Sequence, residues 1–335
     1  MINSPPGGRI NYTTYPPTGA ADPNYLTGVQ SVVIDPADRL WILDTGRVST
    51  SKGMLNAAYG GPKLIGVNLT TDTIFKTIVF TPDAAPPTSY LNDVRFDLTA
   101  NLTASGQGVA YISDSSPEGT TAVVIVDLGT GKAWRHLKAI PPTEPSQGFV
   151  PTVWGQPVYT NGSNGTPIGN VNFGIDGVAI SADGATFYFS TTGGRKLYSV
   201  PTARLRDNGP YSEILARASV QDLGEKGFSD GLESDTNNNI YCGDMEANQI
   251  NIYHPDTGIV TQFTRDPRFS WTDTMSVATD GYIYFTENQL WRLPLFQGVD
   301  LRVKPYVLFR AKLPGNGTKI TQPAPGPANS TMSYP

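Results

Sequence analysis

The chain has 335 residues, a formal net charge of −5 and only 16% charged residues, while glycine (35) and proline (28) are abundant. A chain this long buries roughly three quarters of its unfolded surface, and many turns with little charged helix surface is the composition of an all-β fold. No basic run occurs, which argues against nucleic acid or an anionic membrane as partner, and no stretch reaches the ~20 apolar residues of a membrane span.

In chain order, five segments repeat one pattern: a strand opening on a polar residue, a polar turn, then a more apolar strand. They are Gln30–Asp35 with Leu40–Asp44, Asn92–Asp97 with Val109–Ser113, and Asp176–Ser181 with Thr186–Ser190. Asp230–Asp235 with Asn239–Gly243 and Thr274–Ala278 with Tyr282–Thr286 complete the set. The intervening turns (Asp-Pro-Ala-Asp, Ser-Ala-Asp-Gly, Asp-Thr-Asn-Asn, Thr-Asp-Gly) carry hairpin chemistry. Two further strands follow each pair, as in Ala122–Val126 and Lys132–Arg135. A repeating four-stranded antiparallel unit predicts a β-propeller blade, and residues 1–335 read as one propeller domain with a Pro/Gly/Ser-rich tail over 314–335. Five blades are legible, and leftover strand-like residues (Arg9 to Thr14, Pro305 to Leu313) suggest a sixth. Helix is expected for at most one turn, near Arg204 to Asn208.

In such a blade the loops between blades, and between second and third strands, share one face. Here these loops are long and aromatic, carrying Tyr90, Trp154, Phe173 and Trp271, with Arg47 and Arg195 beside them. They predict an aromatic-lined pocket for a small molecule. The first residues of the inner strands are Gln30, Asn92, Asp176, Asp230 and Asp273, all oxygen donors. If they converge, their charge needs a cation or a proton, and calcium is the metal such ligands suit. The two histidines, His136 and His254, fall away from that face, so a Ser-His-Asp triad is not expected and zinc lacks its usual ligands. The single cysteine, Cys242, excludes an intrachain disulfide and reads as a core residue. Seven Asn-x-Ser/Thr sequons (Asn11, Asn68, Asn101, Asn161, Asn164, Asn316, Asn329) lie mostly in turns or tails, and predict a secreted glycoprotein whose leader is not part of this sequence.

Several motifs resemble the yellow and major royal jelly protein family: Gly28–Asp35 running into Arg39–Gly46, Leu91–Val94, Ala110–Ser115, and Val124–Asp127 leading to Trp134–Leu137. So do Phe187-Tyr188 before Leu197-Tyr198, Gly224–Gly227 before Asp230, and Ala247–Ile250. The resemblance implies a six-bladed, usually secreted propeller. The missing cysteines point to a fungal or bacterial branch rather than an insect one. It also implies a range of functions: dopachrome-type conversion, small-amine binding, nutrition, or hetero-Diels–Alder cyclisation of reactive quinone methides in fungal specialised metabolism. Asn92, Asp176-Gly177 and Asp230-Gly231 more distantly resemble the gluconolactonase and senescence marker propellers, whose matching positions ligate calcium. The resemblance thus implies a small aromatic or polyketide- or terpenoid-type ligand, and the expectation is an enzyme that cyclises or isomerises an oxidised aromatic substrate, the alternatives being a binding protein without turnover and a calcium-dependent lactonase.

Overall fold

The computed structural model describes residues 23–50, 53–162 and 166–326. The sequons at Asn11, Asn164 and Asn329, and the strand-like residues Arg9 to Thr14, lie outside them.

The protein is all-β, and its sheets are the antiparallel meanders of propeller blades. The first blade takes Val29–Ile34, Leu40–Asp44, Lys63–Asn68 and Thr73–Val79. The second takes Leu91–Asp97, Val109–Asp114, Ala122–Asp127 and Ala133–His136. Ile175–Ile180, Thr186–Thr191, Lys196–Pro201 and Gln221–Glu225 build the third, and Leu232–Ser234, Ile240–Asp244, Gln249–His254 and Ile259–Arg265 the fourth. The fifth has three strands, Thr272–Val277, Tyr282–Glu287 and Val307–Lys312. Every strand pair foreseen in the repeat is present, with Val94 opposite Ile112 and Ile180 opposite Phe187. No sixth blade occurs among the described residues, because Pro305 to Leu313 supplies the third strand of the fifth.

The strand sequences follow from burial. Middle strands are covered on both faces and read as unbroken apolar runs, as in Val109–Asp114 and Ala122–Asp127, where every residue is buried. The outermost Thr73–Val79 is mostly exposed and correspondingly mixed.

The chain forms two compact units. One comprises the described parts of Met1–Lys138, Leu205–Glu213 and Thr321–Pro335; the other comprises Ala139–Arg204 and Ile214–Ile320. In the first unit Trp41, Leu43, Leu64, Phe80, Val94, Phe96 and Ile112 share one core. In the second, one core lies around Tyr241, Ile250, Phe269 and Phe285, and another around Phe228, Trp271 and Phe296.

One expectation needs correction. Helix exceeds one turn: Thr202–Arg206 and Ser212–Ala218 are both helical. The second is seven residues long with Ile214 and Leu215 exposed, so it carries no amphipathic period to read. Two residues of the Pro/Gly/Ser-rich stretch after 314 bond to blade turns. Thr318 accepts the Thr236 N–H through its carbonyl (3.0 Å). Gln322 accepts the Leu98 N–H (2.6 Å) and donates to Asp97 (2.9 Å), so each piece is tied to a blade turn by hydrogen bonds.

Candidate functional site

A carboxylate ends the second strand of four blades: Asp44, Asp114, Asp244 and Glu287. Three of them grip the loop that leads into their own blade. Asp44 accepts the Thr27 and Gly28 N–H groups (2.7 and 2.8 Å) and pairs with the buried Lys63 (2.9 Å). Asp114 accepts from the Tyr90 N–H (2.8 Å) and the Ser89 hydroxyl (2.6 Å) and pairs with Arg135 (2.7 Å). Glu287 accepts from the Ser270 and Trp271 N–H groups (2.9 and 2.8 Å), and burial pushes its carboxyl above the usual range. These clamps fix where each inner strand begins, and so where the residues heading those strands stand.

In the second unit the heads of the inner strands meet. A Cβ on Gly177 would collide with the Asp230 carbonyl, and one on Gly231 with the Asp273 carbonyl. The Asp-Gly pairs at 176–177 and 230–231 therefore record the close approach of successive inner strands. The Thr192 hydroxyl stands 3.0 Å from Asp176 Oδ2 and 3.1 Å from Asp230 Oδ1. The other Asp230 oxygen accepts the Trp271 indole N–H at 2.6 Å. Asp273 accepts from the Asn288 amide. Lys226, fully buried nearby, donates to the Gly227 carbonyl (3.1 Å) and to the Ser229 hydroxyl, and burial pushes its ammonium down to about 8 despite attraction to Asp244 and Asp230.

Around this group lie aromatic rings from the long loops. Phe228 meets Trp271 edge-on (5.4 Å) and Phe149 at a tilt (5.6 Å), while Phe296 packs on Trp271 (5.8 Å) and Phe173 (6.3 Å). Arg195 lies over Phe149 (4.8 Å) and forms a two-point pair with Glu246, which also accepts the Thr152 N–H (3.0 Å). Phe173 is half-buried in this cluster.

The sequence-predicted residues thus separate. Trp271 is not a lining residue: it has no exposed surface, because its ring fills the core while its N–H is spent on Asp230. Arg47 is not a free loop charge. It is 3% exposed, donates to the Leu55 and Thr88 carbonyls (2.9 Å each), and clasps Glu118 with both terminal nitrogens (3.0 and 2.8 Å). In the first unit Tyr90 donates to Gln30 (2.6 Å), Gln30 to Asn92 (2.9 Å), and Asn92 to Ser115 (3.0 Å), a chain of neutral groups. Asn68, at the end of a strand, and Asn101 and Asn316, in single 3-10 turns, are exposed, whereas the Asn161 amide is engaged with the Phe296 carbonyl.

The candidate calcium ligands are each hydrogen-bonded to neighbouring groups. No group of three His, Cys, Asp or Glu side chains able to hold a metal exists among the described residues. Asp230 presents both oxygens to neutral donors, and Gln30 and Asn92 bond each other. Nucleophilic chemistry is equally unsupported at the remaining candidates. His136 is buried between Glu213 (3.0 Å) and the Asp207 carbonyl (2.6 Å), and burial pushes the Cys242 thiol up to about 12. Sequence reasoning missed Thr192 and Lys226, although the carboxylates ending Leu-Trp-Ile-Leu-Asp, Ala-Tyr-Ile-Ser-Asp and Ile-Tyr-Cys-Gly-Asp were visible as a repeat.

The profile of the Major royal jelly protein family matches residues 27–304, most of the chain. The chain belongs to the major royal jelly protein family. Major royal jelly protein 7 of Apis mellifera is 26% identical over 198 residues, covering 58% of this chain and 40% of that protein. Protein yellow of Drosophila erecta is 26% identical over 197 residues, covering 55% and 31%. The match therefore spans less than half the length of either relative. Among solved structures, a luciferin-regenerating enzyme is similar at a TM-score of 0.50 and 11% identity, covering 88% of this chain and 94% of that one, a likeness of fold alone. A gluconolactonase of Xanthomonas campestris is similar at a TM-score of 0.47 and 12% identity, covering 77% and 68%.

Proposed function

We propose that this royal jelly family propeller binds an oxidised aromatic small molecule and promotes its isomerisation or cyclisation by proton transfer at Asp176 and Asp230. The observation that carries the reading is the single Thr192 hydroxyl between two carboxyl groups. One hydroxyl proton serves one acceptor at a time, so the second oxygen–oxygen approach needs a proton of its own. Asp230 takes the Trp271 indole N–H on its other oxygen, a donor suited to a carboxylate. The extra proton then belongs to Asp176, giving a chain from the Asp176 carboxylic acid through the Thr192 hydroxyl to the Asp230 carboxylate. Paired carboxyl groups in unlike surroundings are a general means of dividing acid and base roles. Asp176 is the half-buried member and the one that can meet a ligand. As an acid it donates its proton to a quinonoid carbonyl oxygen; the carboxylate so formed takes a proton from the adjacent carbon, and the acid is regenerated as the substrate tautomerises.

A cyclisation of the hetero-Diels–Alder kind needs less, only orientation and a donor to the carbonyl, and the same residues supply both. The test is turnover of dopachrome, followed by loss of its visible colour, and of a quinone methide, followed by chromatography of the cyclised product. Asp176→Asn should lower turnover by ~100-fold or more, the usual contribution of a positioned acid or base. Wild-type turnover in D176N, or ligand binding by the wild type without turnover of either substrate, would sink the reading. We also propose a secreted glycoprotein with glycans at Asn68, Asn101 and Asn316, supported by their exposure at the surface. A glycosidase-sensitive mass at these three residues, after expression through a secretory pathway, checks it.

A further inference from the structure

Trp154 sits where a tryptophan is poorly suited. Thr152–Val153 and Gln156–Pro157 pair as a hairpin with a two-residue loop, and both loop residues have positive φ, 51° at Trp154 and 73° at Gly155. That loop geometry favours Asn-Gly, because a bulky side chain in the left-handed region is strained. An outlier of this kind at an exposed position points to a role for the side chain. The side chain is also held in place rather than adrift: 46% of Trp154 is exposed, and its indole N–H donates to the Pro267 carbonyl at 2.9 Å.

Trp291 and Arg292, in the turn Leu290–Arg292 between the second and third strands of the fifth blade, complete a corner. Trp154 meets Trp291 edge-on at 5.1 Å, and the Arg292 guanidinium lies 5.1 Å from one indole and 4.8 Å from the other. Arg292 donates to Gln289 (3.0 Å) and has no carboxylate partner among the described residues. The Trp291 indole N–H is buried without a hydrogen-bond acceptor. The polar groups of the corner are therefore donors, and nearly half of the Trp154 surface beside them is open to solvent.

We propose that Trp154, Trp291 and Arg292 form a subsite for a planar aromatic carboxylate, whose ring stacks on Trp154 and whose oxygens accept from the guanidinium. The oxygens give the guanidinium a carboxylate partner, which it lacks among the described residues, and the planar ring matches the half-exposed Trp154 indole. The subsite stands on these three residues and does not depend on the proton chemistry at Asp176.

Calorimetry and tryptophan quenching with trans-cinnamate, its neutral amide and the non-planar cyclohexanecarboxylate test it on the whole chain. Cinnamate should bind best. Arg292→Gln should weaken cinnamate by about tenfold and leave the amide unchanged. Trp154→Asn should weaken cinnamate by at least about tenfold, while its melting temperature stays level or rises because Asn suits the turn. Cinnamate and its amide binding the wild type equally, no binding of cinnamate at all, or a W154N chain that melts early and still binds cinnamate overturns the proposal. Binding is read here without turnover, so its failure leaves the Asp176 reading standing, and failure of that reading leaves this one.

Discussion

Lys226 offers the sharpest quantitative test of the site's electrostatics. Its ammonium is fully buried and pushed from the ordinary 10.5 down to about 8, mainly by burial. Over that interval the folded chain has released a proton that the unfolded chain still holds, so stability must rise with pH between about 8 and 10.5. The gap corresponds to roughly 3 kcal/mol, and the part between pH 8 and 9.5 to about 1.5–2 kcal/mol. Other buried groups oppose this trend: burial pushes Tyr188 and Cys242 up to about 12, and each loses stability as its unfolded form ionises. Lys226→Met keeps the apolar stem and removes the charge, and those other groups remain in both chains. The stability difference between wild type and K226M, from urea unfolding at a series of pH values from about 7 to 9.5, should therefore grow in favour of the wild type by about 1.5–2 kcal/mol. Parallel pH profiles for the two chains would refute the argument, because the lysine would then carry its proton equally in both states.

Asp114→Ala should destabilise the first unit by about 3–5 kcal/mol, since it strands the buried Arg135, and D114L/R135M should recover most of the loss. Denaturant midpoints measure both, and a loss below about 1 kcal/mol in D114A would show that the clamp is dispensable. Trp271→Phe keeps the ring but removes the N–H on Asp230, so it should cost about 1–3 kcal/mol and depress turnover; full stability in W271F would contradict the hydrogen bond.

The blades were legible because their information is local. Alternating or unbroken apolar strands and Gly- or Asp-rich turns specify a hairpin wherever they occur, and all five strand pairs formed as read. Even the Asp-Gly pairs carried meaning, in the glycine as much as in the carboxylate, for Gly177 and Gly231 make room for the neighbouring strand. What the sequence hid was non-local. Thr192 is one of many threonines until folding sets it between Asp176 and Asp230, which are 16 and 38 residues away. Gln322 looks like part of a proline-rich tail until it meets Asp97 and Leu98, more than 220 residues earlier.

The two tryptophans expected at the pocket show how far such reading can be pushed. Both lie in loops that join blades, and composition does not separate them. Trp271 directly precedes an inner strand, and the clamp from Glu287 on its own N–H turns the ring inward to the core, leaving its indole N–H for Asp230. Trp154 is followed by Gly155 at the tip of a two-residue hairpin, and a side chain leaving such a tip cannot reach a core on its own sheet. Its exposure follows from the turn, and a tryptophan in a left-handed conformation at an exposed tip is what the proposed subsite requires and packing does not. A tryptophan before a strand and a tryptophan before a turn glycine thus have opposite expected roles, one positioning a carboxylate from behind and the other facing what arrives from solvent.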